Sequence, residues 1–395
     1  MEPKITFLNH ASFSIEQNGS ITLVDPWFSG RIFNNSWSLL QDTDDSQIDY
    51  SKVKYISISH EHPDHLHFST LKHIKSKTDH DVIILYPRRK NHNIKEACEK
   101  IGFKFFYLDQ YSETQIEDGY SIGVFKDNPE GHDHALIYKV GDKVILNQND
   151  AYLDPETLSK LKKEIPNIDL WLFQFSLAGY YGNSTEPQVI KNKGTYYHID
   201  KFLFYQNYLQ PKISVPFASY VYFCKHFNNY INDYAVDLRE IVKKASHPMQ
   251  IPHYNEELLF DFEGSNEENL KHWEAVFSNS KKNIEPASDF VGEDKIIKKV
   301  KKLYNEGYHV GLLALEFFDY DKLLVIDTHT QNVAFLNKDE CPPDIIAGTL
   351  PSEELIAYLD TPWGGDTLNI TGAFIKQNDS LWKVFLLGRD LLYKR

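Results

Sequence analysis

Cysteine is scarce in this chain. Cys98, Cys224 and Cys341 are the three thiols in 395 residues, and none lies near another. That spacing excludes a disulfide framework, a zinc ribbon and an iron–sulfur ligand set, and leaves reduced, mostly buried thiols as the default reading. Basic charge is also short, with 42 Lys and Arg against 56 Asp and Glu for a formal charge of −14. Such a balance argues against a nucleic-acid partner, since phosphate-backbone binding relies on basic surface. No apolar run approaches the length of a membrane span, and Met1-Glu-Pro-Lys4 leads into Ile5-Thr-Phe-Leu8 rather than into a signal peptide. A cytoplasmic protein with no membrane partner is expected. Gly179-Tyr-Tyr-Gly182 lacks the Lys-Ser/Thr of a nucleotide-binding P-loop, and no Gly-x-Ser-x-Gly elbow of a serine hydrolase occurs. Internal repeats and low-complexity segments are missing as well.

Aromatic residues, by contrast, are plentiful: 24 Tyr, 25 Phe and 6 Trp. They suit sandwiched sheets and sites that stack planar groups. The length is enough for one large domain plus a smaller one. The most informative stretch is Ser59-His60-Glu61-His62-Pro63-Asp64-His65. It follows Lys54-Tyr-Ile-Ser-Ile-Ser59, which reads as a strand, and precedes Phe68-Ser-Thr-Leu-Lys-His-Ile74, which reads as the opening of a helix. Residues two apart in an extended segment project to one side, so His60 and His62 can address one cation. Asp64 and His65, beyond the bend at Pro63, would face a second point nearby. Imidazole and carboxylate donors suit zinc, iron or manganese without selecting one.

His60-x-His62-x-Asp64-His65 resembles the signature of the metallo-β-lactamase superfamily. The resemblance implies a four-layer αββα sandwich, an α/β fold, with a one- or two-metal site at one edge. It implies further markers in order: Asp25 after the strand Ile21-Thr-Leu-Val24, a histidine before a hairpin, an aspartate after it, and a last histidine beyond another strand. Gly131-His132-Asp133-His134 supplies the first histidine, with His132 favoured over His134 as ligand. Asp150 follows the hairpin 135–146, and His226 follows Ile213–Phe223. The ligand set so implied is His60, His62, Asp64, His65, His132, Asp150 and His226. Asp25 would support the metal loop by hydrogen bonding rather than ligate, and His10 either braces that loop or is an ordinary structural histidine. Asn9-His10-Ala-Ser12, Asp25-Pro-Trp27, Ala178-Gly179, Pro216-Phe-Ala-Ser-Tyr220 and the Trp-Gly-Gly-Asp-Thr-Leu-Asn-Ile run at 363–370 are similar to the corresponding part of CMP-N-acetylneuraminate hydroxylases. Those enzymes carry a Rieske iron–sulfur domain, whose ligand spacing is missing here.

Strands and helices alternate through the first part, as expected of α/β layers. Polar composition over 245–290 reads as a boundary between residues 1–280, the catalytic metal-binding part, and a small α+β accessory domain over 285–395. Trp27, Trp37, Tyr180, Tyr181 and Tyr220 are candidates to line a substrate pocket, and Arg31 and Arg88 to meet an anionic substrate. The favoured reading is an iron oxygenase (one or two ions) acting on a small molecule, with electrons from a separate donor or from the substrate. The alternative is a zinc hydrolase in which Asp64 helps hold the nucleophilic water and Asp150 bridges the metals. A non-catalytic metal-binding protein is the third reading.

Overall fold

Asn18 and Gly19 both adopt left-handed backbone, at φ 51° and 78°, as a two-residue hairpin turn requires. This turn joins β2 (Ser12–Gln17) to β3 (Ser20–Val24), and β1 (Lys4–Asn9) pairs antiparallel with β2. The structure, a computed structural model, describes residues 2–89, 93–127, 133–286, 289–304, 311–327, 329–360 and 365–381. After the hairpin the chain adds β4 (Val53–Ser57), β5 (Ile83–Pro87) and β6 (Lys104–Leu108), each parallel to its predecessor. The short edge strand Glu256–Glu257 completes a seven-stranded sheet beside β1. A second sheet has six strands in chain order: β7 (Glu113–Glu117), β8 (Tyr120–Lys126), β9 (His134–Val140), β10 (Lys143–Asn149), β11 (Leu170–Gln174) and β12 (Ile213–Phe217).

The two sheets pack face to face through alternate residues. Ile5, Phe7, Phe13 and Val24 of the first share one core with Ile122, Val124, Leu136 and Ile145 of the second. Helices cover the outer faces. Leu71 and Ile74 of the helix Phe68–Lys77 pack on Ile56 and Ile84. On the other side, Phe202 and Tyr205 of the helix Tyr197–Leu209 pack against Trp171 and Phe173. This is a four-layer αββα sandwich, as the sequence implied. A further sheet, formed by Leu312–Phe317, Tyr320–Asp327, Asn332–Leu336, Ile346–Leu350 and Ile375–Lys376, has its own core around Leu315, Leu324 and Leu355.

One local expectation is corrected. Residues 213–223 are not one strand: Ala218 turns at φ 46°, and Val221–Phe223 leaves the large sheet to pair with Trp37–Leu39. The polar stretch read as a boundary holds a helix, Glu267–Ser280, whose Leu270 and Trp273 are buried in the main core. Their i, i+3 spacing gives this helix a narrow apolar stripe that average composition hides. The first two residues of the run 363–370 lie outside the described residues.

The C-terminal sheet's neighbour, the helix Ser352–Asp360, is tied to the sandwich by buried charge. Lys225 Nζ lies 2.6 Å from Glu353 Oε1 and 2.5 Å from Glu354 Oε1, and Asn34 Nδ2 donates to Glu354. The Lys225 and Glu354 side chains are only 7% and 2% exposed, so removing one partner strands a charge in low dielectric. Lys225→Met should therefore lower stability by about 3–5 kcal/mol, and Lys225→Met with Glu354→Leu should regain most of it. Urea denaturation of the three proteins checks this, and an unchanged midpoint in the single variant would refute the assignment.

Candidate metal centre

Every element of the centre comes from one edge of the sandwich. β1, β3, β4 and β10 deliver their C-terminal ends there, and β9 its N-terminal end. His10 follows β1, Asp25 follows β3, His60–His65 follows β4, Asp133 precedes β9 and Asp150 follows β10. The His60–His65 loop is wound by bonds from the His65 and Leu66 N–H groups to His62 O, at 2.9 and 2.7 Å. The next helix begins at Phe68, capped by His67.

Asp25 organises this loop from beneath. It is fully buried at φ 42°. Its carboxylate accepts from Ser59 N (2.7 Å), Ser59 Oγ (2.7 Å) and His65 Nδ1 (2.9 Å). The bond from Nδ1 to Asp25 turns His65 Nε2 toward the cluster, the carboxylate–histidine arrangement that orients metal-binding imidazoles. Ser59 Oγ also lies 3.0 Å from His60 Nδ1, on the far side of that ring from the cluster.

Four imidazoles and three carboxylates converge, in three overlapping groups: His10, Asp64 and His65; His60, His65 and Asp150; His60, His62 and Asp133. His60 Nε2 is 2.8 Å from His62 Nδ1 and 3.5 Å from both Asp133 Oδ1 and Asp150 Oδ2. His65 Nε2 is 3.3 Å from Asp64 Oδ2 and 3.6 Å from Asp150 Oδ2. His10 Nδ1, Asp64 Oδ1, His65 Nε2, Asp133 Oδ1 and Asp150 Oδ1 are buried without a hydrogen-bond partner. Unpaired polar atoms on so many residues of one buried cluster fit a bound cation.

The electrostatics agree. Burial holds the His60 imidazole well below the ordinary histidine range despite Asp150 beside it, so the ring is neutral and has a lone pair to give. Burial also disfavours charge on His65, but Asp64, Asp150 and Asp25 outweigh it and hold its proton well above the usual value. Asp64 and Asp150 are buried yet held low, Asp64 by His65 and His10, Asp150 by His60 and His65. Burial, with Asp150 close by, pushes the Asp133 carboxyl up to about 7. A cation among these groups would replace the protons that now separate the carboxylates.

The structure thus brings together His60, His62, Asp64, His65 and Asp150. It does not bring His226 to them. His226 is exposed, its ring lies against Phe227 and its N–H donates to Glu285 O at 3.2 Å. The turn at Ala218 sends the following residues to the small sheet and away from this edge. His132 lies outside the described residues. His134 is buried on β9, its Nε2 3.3 Å from Gln110 Nε2, and belongs to none of the three groups. Sequence reasoning missed Asp133 and left His10 undecided. The signal for Asp133 was its place in the same pre-hairpin loop as His132.

Several proposed pocket residues are core instead. Trp27 packs on His10 and His67, Trp37 on Phe33 and Phe223, and Tyr220 on Phe7 and Trp273. Arg31 pairs with Glu285 and Arg88 with Asp109, so both already have carboxylate partners. Tyr181 takes part in a buried chain. Tyr152 OH donates to Gln174 Oε1 (3.0 Å), so its 2.9 Å bond with His198 must be donated by His198 Nδ1. His198 Nε2 then accepts from Tyr181 OH at 2.9 Å.

Two predictions follow from these contacts. Asp25→Asn, which keeps the shape but weakens the His65 bond, should lower metal affinity about 10–100-fold with the fold retained; chelator competition measures this, and equal affinity would count against the role given to Asp25. Burial pushes His198 down to about 3, below the ordinary value near 6.5. The unfolded chain therefore binds the extra proton, and the His198 contribution is complete above pH 6.5 and lost as pH falls toward 3. His198→Phe should flatten the stability slope in that window by up to about 1.4 kcal/mol per pH unit. Denaturation between pH 6.5 and 4 tests it, and parallel curves would refute it.

Residues 4–165 match the profile of a beta-lactamase superfamily domain. A Mycolicibacterium smegmatis protein described as a Rieske 2Fe-2S iron-sulfur protein is 29% identical over 192 residues, 45% of this chain and 35% of that protein. The cytidine monophosphate-N-acetylneuraminic acid hydroxylase of Danio rerio is 25% identical over 269 residues, 62% of this chain and 43% of that enzyme. This chain therefore spans less than half the length of these relatives. Among solved structures, Igni18, a metallo hydrolase of Ignicoccus hospitalis, is similar over 66% of this chain and 99% of its own, at 18% identity and a TM-score of 0.45. Residues 4–165, which carry His10, Asp25, the His60–His65 run, Asp133 and Asp150, form a beta-lactamase superfamily domain.

Proposed function

We propose that this protein is a metal-dependent oxygenase that hydroxylates a small organic substrate, with iron as its metal. The carrying observation is the converged set of His60, His62, Asp64, His65 and Asp150, an imidazole–carboxylate site without thiolate that suits iron as well as zinc. The similarity to a hydroxylase over 62% of the chain favours oxidation over hydrolysis. The substrate of that relative is not transferred, because the matched region is under half of it.

Iron, when bound, would supply the redox chemistry of dioxygen activation. The chain's own residues would do the rest. Asp25 and Ser59 hold His60 and His65 in their tautomers. Asp150 Oδ2, 3.5 Å from His60 and 3.6 Å from His65, is placed to link the two halves of the site. Asp133, beside His60 and His62, is placed to complete the donor set on the side of the cluster nearer solvent. Phe33, with its ring 6.4 Å from that of His62, provides an apolar wall there. The reading assigns the electrons to a separate donor or to the substrate.

Protein purified without oxygen should contain stoichiometric iron whose Mössbauer spectrum changes on exposure to dioxygen, and His62→Ala should lose that iron. Tightly bound zinc, with an esterase, amidase or phosphodiesterase activity restored by zinc alone, would make the protein a hydrolase. Full metal content in His62→Ala would overturn the site itself.

A further inference from the structure

We infer that His10, at the end of the first strand, is a metal ligand: with Asp64 and His65 it completes a second divalent-cation position, in the place where the sequence pointed to His226. The inference rests on the metal-site reading above but not on the oxidative chemistry.

His10 is fully buried, and its Nε2 lies 3.2 Å from Asp64 Oδ2. The third member, His65 Nε2, is 3.3 Å from the same oxygen. These three atoms form a compact triad. A hydrogen bond between His10 and Asp64 alone would leave His65 Nε2 and Asp64 Oδ1 buried and unpartnered, as they are found. One cation taking a lone pair from each of the three residues would give His65 Nε2 the partner it lacks; His10 Nδ1, also buried and unpartnered, lies on the other side of its ring. Two imidazoles and a carboxylate are the donor set of a first-row divalent ion.

The backbone supports the assignment. His10 sits at φ 35°, a conformation that costs a non-glycine residue of order 1 kcal/mol or more and persists only where surroundings enforce it. Here they do: Asn9 Oδ1 accepts from His10 N, and His10 O accepts from Ala218 N, both at 2.9 Å. The second bond ties β1 to the turn after β12, the turn that carries the chain away toward His226. The geometry that removes His226 from the site also fixes His10 in it. Trp27, edge-on to the His10 ring at 5.6 Å, closes the side away from the cluster. The remaining donors, His60, His62 and Asp133, gather about a separate point, and Asp150 stands between the two.

Cobalt(II) titrated into chelator-treated protein tests the inference, because its spectrum reports ligand identity without any activity. The unaltered chain and His226→Ala should each take two cobalt ions. His10→Gln, which can keep a donor to Asp64, should take one, and a purely bracing role would leave it at two. His10→Cys should show a near-ultraviolet thiolate-to-cobalt charge-transfer band that the unaltered chain lacks. Two ions in His10→Gln, or no such band in His10→Cys protein that binds cobalt, overturns the inference. Failure of the unaltered chain to bind cobalt at all would instead overturn the metal-site reading.

Discussion

The buried carboxylate of Asp25 is the contact on which this site depends. Three donors reach it, and two of them belong to Ser59 at the start of the histidine loop. Burial alone raises its pKa, and the bonds from His65 and Ser59 oppose that rise. The cost of placing a carboxylate between two sheets is met by making it the anchor for the loop that bears the ligands. Asp25 N also donates to Ser57 O at 2.9 Å, so β3 and β4 stay in register up to the point where the loop leaves. Rigid strands therefore set the direction of His60 and His65 to within the tolerance that a metal site needs.

A second constraint arrives from far along the chain. The loop 28–37 carries Phe33 to the His62 ring, and three successive residues, Phe33, Asn34 and Asn35, have left-handed backbone. Such a run is held by its surroundings rather than by local preference. Asn34 is bonded to Glu354, Trp37 Nε1 to Ile370 O, and Asn228 Nδ2 to both Ser36 O and Thr371 O. The C-terminal elements thus supply no member of the described cluster, yet they hold the loop that walls it. Their bearing on the chemistry is indirect and runs through Phe33.

Much of this was legible in the sequence because it is local. The strand–loop–helix context of His60–His65 depends on residues within one element, and strand alternation and the Asn-Gly turn are read the same way. Asp25 and Asp150 were legible through their order around strands. His226 and His10 were not. Which of them reaches the edge depends on whether residues 213–223 run straight, and that depends on one positive-φ alanine and its bond to His10 O. Ala is no turn signal, so nothing local announces the break. The aromatics failed for a related reason: Trp27, Trp37 and Tyr220 lie near the site in the chain, but a large ring finds more apolar surface between layers than at an edge.

The charges decide what the cluster can be. Asp64, Asp133 and Asp150 lie close enough that one of them, Asp133, takes a proton near neutral pH while His65 keeps its own. A structural network would pair such groups, as Glu61 of the same loop is paired with Arg89 and Tyr86 OH. The cluster instead leaves five side-chain nitrogen and oxygen atoms buried and unbonded, at a cost of about 1–3 kcal/mol for each. That cost is a sizeable share of the net stability of about 5–15 kcal/mol of a folded domain. A bound cation would offset part of that cost, which couples metal affinity to the stability of the fold.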